Sequence, residues 1–167
     1  MKIKRLPLLI VSALSFSLLL LTAGCSKSTT PPLPTNGTLT ATTGSTNFSG
    51  AQVESVYSQY LASVAVLGYT IQSTDTTGIQ LQFAYMPPVG LTFSSDTTET
   101  GLTYFTGGKR YDAYTAVGRV IMSLSVADTV GHKLTGSFSG TIYNDANAND
   151  SMVVTNGKFS CTYSVQP

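Results

Sequence analysis

The residues best suited to bind an ion lie between Asn144 and Asp150, where carboxylate or carboxamide side chains alternate with alanine. Calcium prefers such oxygen ligands, but an EF-hand loop has Gly at its sixth position and a bidentate Glu at its twelfth. A loop beginning at Asp145 has Asp150 and Asn156 there instead. The segment is equally typical of a solvated hairpin turn, because Asn and Asp tolerate turn conformations. The sequence therefore favours a turn over a weak calcium site, whose candidate ligands are Asp145, Asn147, Asn149 and Asp150.

A second candidate site surrounds the turn dipeptide Gly107-Gly108, which is followed by Lys109 and Arg110 and flanked by tyrosines. A cationic pair beside aromatic rings could recognise a sugar or an anionic group, and its candidate residues are Tyr104, Lys109, Arg110 and Tyr114. The alternative is that the tyrosines belong to the core beside a solvated turn. In a strand, Tyr111 and Tyr114 would point to opposite faces, so at most one of them would be exposed.

The residues that usually catalyse reactions are sparse in this chain. His132 is the single histidine and stands beside a turn, where we expect it to be exposed. No Gly-x-Ser-x-Gly nucleophile elbow is present, and the eight acidic residues show no marked pair of the kind that glycosidases use. We therefore predict no catalytic residue, no resident metal and no cofactor.

The N-terminal segment determines where the protein is located. Lys2, Lys4 and Arg5 precede an apolar run from Leu6 to Leu21, and the small residues Ala23 and Gly24 then precede Cys25. This order is that of a secretory signal peptide. With the cysteine after the cleavage position, it resembles the lipobox of bacterial lipoproteins, although Thr22 stands where Leu is commoner. The resemblance implies that Cys25 is acylated and becomes the mature N-terminus; an uncleaved membrane-spanning helix is the alternative.

Cleavage would divide the chain into three parts: a signal peptide (1–24), a lipidated polar and Pro-rich tether (25–36) and a single domain (37–167). Without the first part, six basic residues remain against eight acidic ones, a net charge of −2. This balance argues against nucleic-acid binding, which needs a basic surface. Lys27 is not the acidic residue that retains some bacterial lipoproteins in the inner membrane. We therefore expect attachment to the outer membrane, in either leaflet.

The domain is predicted to be all-β, with roughly ten short strands in an antiparallel sandwich or barrel-like arrangement. Ile79, Leu81 and Phe83 alternate with polar residues, as in a half-buried strand. Residues 52–64 also fit the spacing of a helix, but their β-branched and aromatic content favours two strands, at 51–58 and 61–67. Gly68 is predicted to end the second strand.

The last third predicts a hairpin whose two strands carry Phe138 and Phe159 inward and enclose a polar loop from Asn144 to Ser151. Cys161 follows Phe159 on the same face and is predicted to be buried. The segments GSFSGTI (136–142) and VVTNGKF (153–159) resemble the C-terminal signature of small uncharacterised surface lipoproteins of Bacteroidetes-type bacteria. That resemblance implies an all-β surface domain and assigns no activity.

Together these patterns predict a lipid-anchored envelope protein that acts as a tethered binding or structural module without catalysis. Its expected partners are the membrane, through the lipid, and a glycan or an envelope protein. The alternative is a small surface hydrolase that acts on a glycan or a peptide.

Overall fold

The computed structural model describes residues 36–73, 75–83, 89–90, 92–94, 100–113 and 119–167. All of them belong to one unit, Pro34–Pro167. All regular secondary structure assigned in this part of the chain consists of β-strands, which confirms the predicted all-β class. The predicted signal peptide, Cys25, the tether up to residue 35 and Tyr114 lie outside the described residues.

Twelve strands are described, close to the roughly ten predicted. They are β1 (Gly37–Thr43), β2 (Thr46–Ser49), β3 (Gln52–Ser58), β4 (Ser63–Gln72), β5 (Asp75–Phe83), β6 (Thr92–Ser94), β7 (Gly101–Thr106), β8 (Lys109–Asp112), β9 (Arg119–Asp128), β10 (Lys133–Asn144), β11 (Asn147–Thr162) and β12 (Ser164–Gln166).

The strands form one sheet in the order β12-β3-β4-β5-β7-β8-β10-β11-β1-β2, while β9 pairs with β10 and β6 pairs with β9. The pairs are antiparallel except for β12 with β3, which is parallel. Among the described residues the path ends at β12 and β2 without closing on itself. The sheet instead folds over, so that the Phe83 ring on β5 lies 6.1 Å from the Phe159 ring on β11. Of the two predicted arrangements, this packing matches the sandwich.

The ambiguous segment 52–64 forms strands rather than a helix, as predicted. β3 and β4 are joined by a turn at 59–62, and their inward side chains alternate with outward ones. Val53, Val64 and Val66 are completely buried between the two layers. The apolar positions thus follow the strand period of two, and the helical spacing is coincidental.

The prediction that Gly68 ends its strand is wrong, because β4 continues to Gln72. Gly68 lies in the middle of β4 and faces Leu39 of β1 in the opposite layer. A Cβ atom at position 68 would come within 2.8 Å of the Leu39 Cβ. The glycine allows close packing between layers here rather than a turn.

The predicted C-terminal hairpin is formed by β10 and β11. Phe138 and Phe159 are 3% and 2% exposed, and Cys161 is 5% exposed, so all three predictions of burial are confirmed. The polar loop is shorter than predicted: only 145–146 form the turn, and β11 begins at Asn147. Asn144 pairs with Asn147 and Tyr143 with Ser151, so residues 148–150 form an irregularity in the β10–β11 ladder.

Candidate functional site

The two candidate sites predicted from the sequence lie side by side. The β7–β8 hairpin turns at Gly107 and Gly108, whose φ angles of 53° and 74° suit a tight hairpin turn. β8 then pairs with the end of β10, and the Asp145 amide donates a hydrogen bond to the Arg110 carbonyl oxygen at 3.0 Å. The basic turn and the acidic turn therefore meet.

The charges of these two turns compensate each other. The Arg110 Nε lies 3.3 Å from an Asp145 carboxylate oxygen and 3.7 Å from an Asp112 carboxylate oxygen. The Lys109 Nζ lies 3.7 Å from an Asp150 carboxylate oxygen. An anionic ligand would have to compete with these carboxylates, so the pairing argues against an anion-binding role for Lys109 and Arg110.

Asp150 is the most extensively hydrogen-bonded member of the acidic turn. Its carboxylate accepts hydrogen bonds from the Asn144 Nδ2 at 2.9 Å and the Tyr111 hydroxyl at 3.0 Å. These two hydrogen bonds, together with the nearby Lys109 charge, lower the pKa of Asp150 below its ordinary value. The carboxylate therefore stays ionised and fastens the turn to β8.

The candidate calcium ligands are directed to different partners. Asp145 pairs with Arg110, Asp150 with Tyr111 and Asn144, and the Asn147 Oδ1 accepts a hydrogen bond from the Asn149 amide at 3.1 Å. Among the described residues, no group of three His, Cys, Asp or Glu side chains is placed to hold a metal ion. The oxygens of this turn therefore bond to its own backbone and to neighbouring side chains instead of converging on one point.

Tyr104, one of the predicted binding candidates, lies mostly in the core. It is only 6% exposed. Its ring lies 6.4 Å from the Phe48 ring in an edge-on arrangement and 6.4 Å from the Tyr111 ring. Tyr104 and Tyr111 are direct cross-strand partners on the inner face of the β7–β8 hairpin, so both are core residues.

A groove of about 620 Å³ opens at the same end of the domain, beside the β1–β2 hairpin. Its walls come from the ends of β1, β4 and β7 and from β2, β5 and β11, and its floor from Phe48 and Tyr104. The polar lining residues are Thr43, Thr46, Asn47, Ser49, Thr70, Gln72, Thr77 and Thr106, and Met152 completes the wall. The described lining thus consists of hydroxyl, carboxamide and apolar groups, without a charged side chain.

Hydrogen bonds hold part of this lining in place. The Thr70 hydroxyl donates to the Ser49 carbonyl oxygen at 3.1 Å and accepts from the Ala51 amide at 3.2 Å. The Thr77 and Thr106 hydroxyls are 3.1 Å apart across two strands. At the rim, the Asn47 and Gln72 side chains are exposed, and a carboxamide offers two N–H donors and an acceptor oxygen. The groove can therefore hydrogen-bond a neutral polar ligand through groups of both kinds.

His132 is an exposed turn residue, as predicted, with a φ angle of 53°. Local sequence does not indicate that its imidazole stacks on the Tyr163 ring, with centroids 5.1 Å apart. In the same turn, the Asp128 carboxylate accepts hydrogen bonds from the Gly131 and Val130 amides at 2.8 and 3.0 Å, which lower the pKa of Asp128. These contacts stabilise a turn and do not form a nucleophile–base pair.

Sequence reasoning missed the groove, because its lining is spread over six strands and no two strands contribute a recognisable motif. Threonine is also a common strand residue, so its abundance indicates β-structure and does not by itself indicate a binding surface. The one available hint was the low charged fraction, 10%, in a chain whose polarity comes from hydroxyl and amide groups.

Comparisons with protein-family models, curated proteins and solved structures gave no match to this chain. In the described part of the chain, no helix has the length and hydropathy needed to cross a bilayer.

Proposed function

We propose that this protein is a lipid-anchored component of the bacterial outer membrane whose β domain binds a neutral polar ligand, with a glycan as the first candidate. The domain has no catalytic activity of its own in this proposal. Cys25 carries the lipid, residues 26–36 form the tether, and the sheet displays the groove. The resemblance of the lipobox and the C-terminal hairpin to those of small surface lipoproteins supports the anchoring part.

The observation that carries the binding part is the uncharged, hydroxyl- and carboxamide-lined groove. A charged ligand buried beside such walls would lose water without gaining an ionic partner, whereas a ligand rich in hydroxyl groups can exchange its water contacts for equivalent hydrogen bonds. Sugars without charged substituents have this chemistry. Lys109 and Arg110 already pair with carboxylates, which disfavours an anionic ligand at this turn.

The expected affinity for one ligand is low. Each hydrogen bond in an open groove contributes about 0.5–1.5 kcal/mol net, and association itself costs several kcal/mol. Phe48 and Tyr104 are buried to 7% and 6% exposure, so they provide a floor and no free ring for stacking. Many copies tethered to one membrane would compensate through multivalency toward a polymeric ligand.

The proposal is tested by screening the purified full chain against a neutral glycan panel and titrating the ligands that bind. Asn47→Ala and Gln72→Ala remove rim carboxamides and should each weaken binding several-fold without lowering the melting temperature. The control, Thr162→Ala, changes an exposed residue at the opposite end of β11 and should bind normally. An absence of binding to every neutral glycan, or equal binding by the groove variants, would refute the assignment.

The hydrolase alternative is tested in the same screen by following product release. Glu54, a strand carboxylate, accepts a hydrogen bond from the Tyr69 hydroxyl at 2.9 Å, and Asp112 pairs with Arg110. No observation favours these acids as a catalytic pair. Cleavage of a glycan or peptide that is abolished by one carboxylate substitution would replace the binding module with an enzyme.

A further inference from the structure

Three exposed apolar side chains stand at the tips of two turns. Tyr60 and Leu61, in the β3–β4 turn, are 88% and 65% exposed, and Val130, in the β9–β10 turn, is 92% exposed. Tyr60 and Val130 are the most exposed large apolar side chains among the described residues. Neither turn needs them for its conformation: the Asp128 carboxylate holds one turn, and the Ser58 hydroxyl accepts a hydrogen bond from the Leu61 amide in the other at 3.2 Å.

Backbone pairing places both turns at one end of the domain. The Tyr163 amide donates to the His132 carbonyl oxygen at 2.8 Å, which puts the β9–β10 turn beside the end of β11. β12 continues from there along β3, and the Gln59 amide donates to the Gln166 carbonyl oxygen at 2.9 Å. The rings of Tyr57 and His132 both contact Tyr163, at centroid distances of 6.3 and 5.1 Å.

The tether joins the domain at this same end. The Asn36 carbonyl oxygen accepts a hydrogen bond from the Thr162 amide at 2.8 Å, and Gly37 pairs with Cys161. Cys25 precedes Asn36 by eleven residues. At about 3.1 Å per residue in a polyproline conformation, this segment keeps Asn36, where the domain begins, within about 35 Å of the bilayer. The groove lies at the other end, where β1 and β4 finish.

We propose that the tips of the β3–β4 and β9–β10 turns insert into the interface of the phospholipid bilayer that carries the anchor, with Tyr60, Leu61 and Val130 as the inserting side chains. This inference rests on the proposed lipid anchor. Tyrosine suits the interface because its ring is apolar and its hydroxyl remains hydrated. Burial of the apolar side chains at the turn tips would strengthen the membrane binding that an acyl anchor provides. The domain then rests on the membrane, and the groove points away from it.

The test uses the full lipidated chain in phosphatidylcholine and phosphatidylethanolamine vesicles that contain a doxyl-labelled lipid quencher. An environment-sensitive fluorophore is attached at Thr129→Cys, next to Val130, or at Val153→Cys, a matched exposed position on β11 near the opposite end. The native Cys161 is buried and Cys25 carries the lipid, so labelling is selective. We expect a blue shift and quenching at position 129 and neither at position 153. The combined Tyr60→Ser, Leu61→Ser and Val130→Ser variant should lose the signal at 129 while still floating with the vesicles.

Each other outcome overturns a specific statement. If the chain floats but positions 129 and 153 are equally unquenched, the insertion is wrong and the anchor stands. If quenching at 129 survives the triple serine substitution, these three side chains are not the inserting groups. If mass spectrometry finds no acyl group and the chain does not float, the proposed anchor fails, and the insertion fails with it.

Discussion

Leu39 of β1 lies directly against Gly68 of β4, at a point where the two layers approach so closely that a Cβ on residue 68 would meet the Leu39 Cβ, Cγ and Cδ1 at 2.8, 3.2 and 3.2 Å. Leu39 is 1% exposed, and Val66, two residues before the glycine, is completely buried. The close contact fixes β1 against β4 at the centre of the core. A glycine in a strand interior, usually a weak point, here permits the contact between layers.

Gly68→Ala should destabilise the domain by about 1–3 kcal/mol, because the added methyl group must displace the β1 backbone or the Leu39 side chain. Thermal unfolding followed by circular dichroism measures the change. In a Leu39→Ala background the Cγ and Cδ1 atoms are absent, and the same substitution should cost less. An equal cost in both backgrounds would contradict this expectation and show that the Leu39 Cβ, which alanine retains, alone limits the packing.

Phe159→Ala should cost about 3–5 kcal/mol, a large share of the stability of a domain of this size. The Phe159 ring lies 6.1 Å from the Phe83 ring and 6.4 Å from the Phe138 ring, so its removal leaves a cavity between the layers. Chemical denaturation provides the measurement. Lys158→Ala, the exposed neighbour on the outer face, is the control and should change stability by less than about 0.5 kcal/mol.

The Cys161 thiol should react slowly with a water-soluble disulfide reagent in the native protein. Its side chain is buried, and this burial raises the pKa of the thiol, which keeps the reactive thiolate scarce at neutral pH. Denaturant should release full reactivity. A cysteine introduced at the exposed position Val153 supplies the reference rate, and native labelling of Cys161 at that rate would contradict its place in the core.

Asp150→Asn should lower the melting temperature at neutral pH, with a smaller effect in acid. Because hydrogen bonds from Asn144 and Tyr111 lower the pKa of Asp150 in the folded state, the ionised carboxylate stabilises the fold above its unfolded pKa of about 4. That contribution is lost as the pH falls through the folded-state pKa. Melting curves from pH 7 to pH 2 should therefore converge for the two proteins. Asp75→Asn, at the exposed start of β5, controls for the change in net charge.

Cys25→Ala should abolish lipidation and move the protein out of the membrane fraction, or leave its precursor uncleaved. The reason is that the lipobox-type signal requires the cysteine thiol as the site of acylation. Fractionation and mass spectrometry of the exported protein are the measurements. Normal cleavage together with unchanged membrane association would refute Cys25 as the lipidated residue.

The sequence predicted the strands that carry a local pattern. In β5, Ile79 and Leu81 alternate with glutamines, and in β11, Phe159 and Cys161 do the same with polar residues, so burial could be predicted from a period of two. The role of Gly68 could not be predicted in this way. It depends on which strand of the opposite layer crosses β4, and that is decided by β1 pairing with β11 far along the chain.

The prediction of the candidate sites had the same limit, because the contacts within them join residues that are distant in sequence. Lys109, Arg110, Asp145 and Asp150 were each identified from local composition, but their mutual neutralisation depends on the pairing of β8 with β10. Tyr104 was grouped with the basic turn because it is near in sequence, whereas its orientation places it opposite Tyr111 in the core. The groove required strands from both halves of the domain to be assembled first.

The pairing of β1 with β11, and of β12 with β3, joins the start of the domain to its end, so some of its strand pairs are very distant in sequence. A topology with this high contact order folds slowly, because long loops must close before their contacts form. The sheet also remains incomplete until β11 is available to insert between β10 and β1. The complete sheet can therefore form only after the C-terminal strands have been synthesised. Until β11 pairs, the edges of β10 and β1 that it covers are open, and open strand edges favour aggregation.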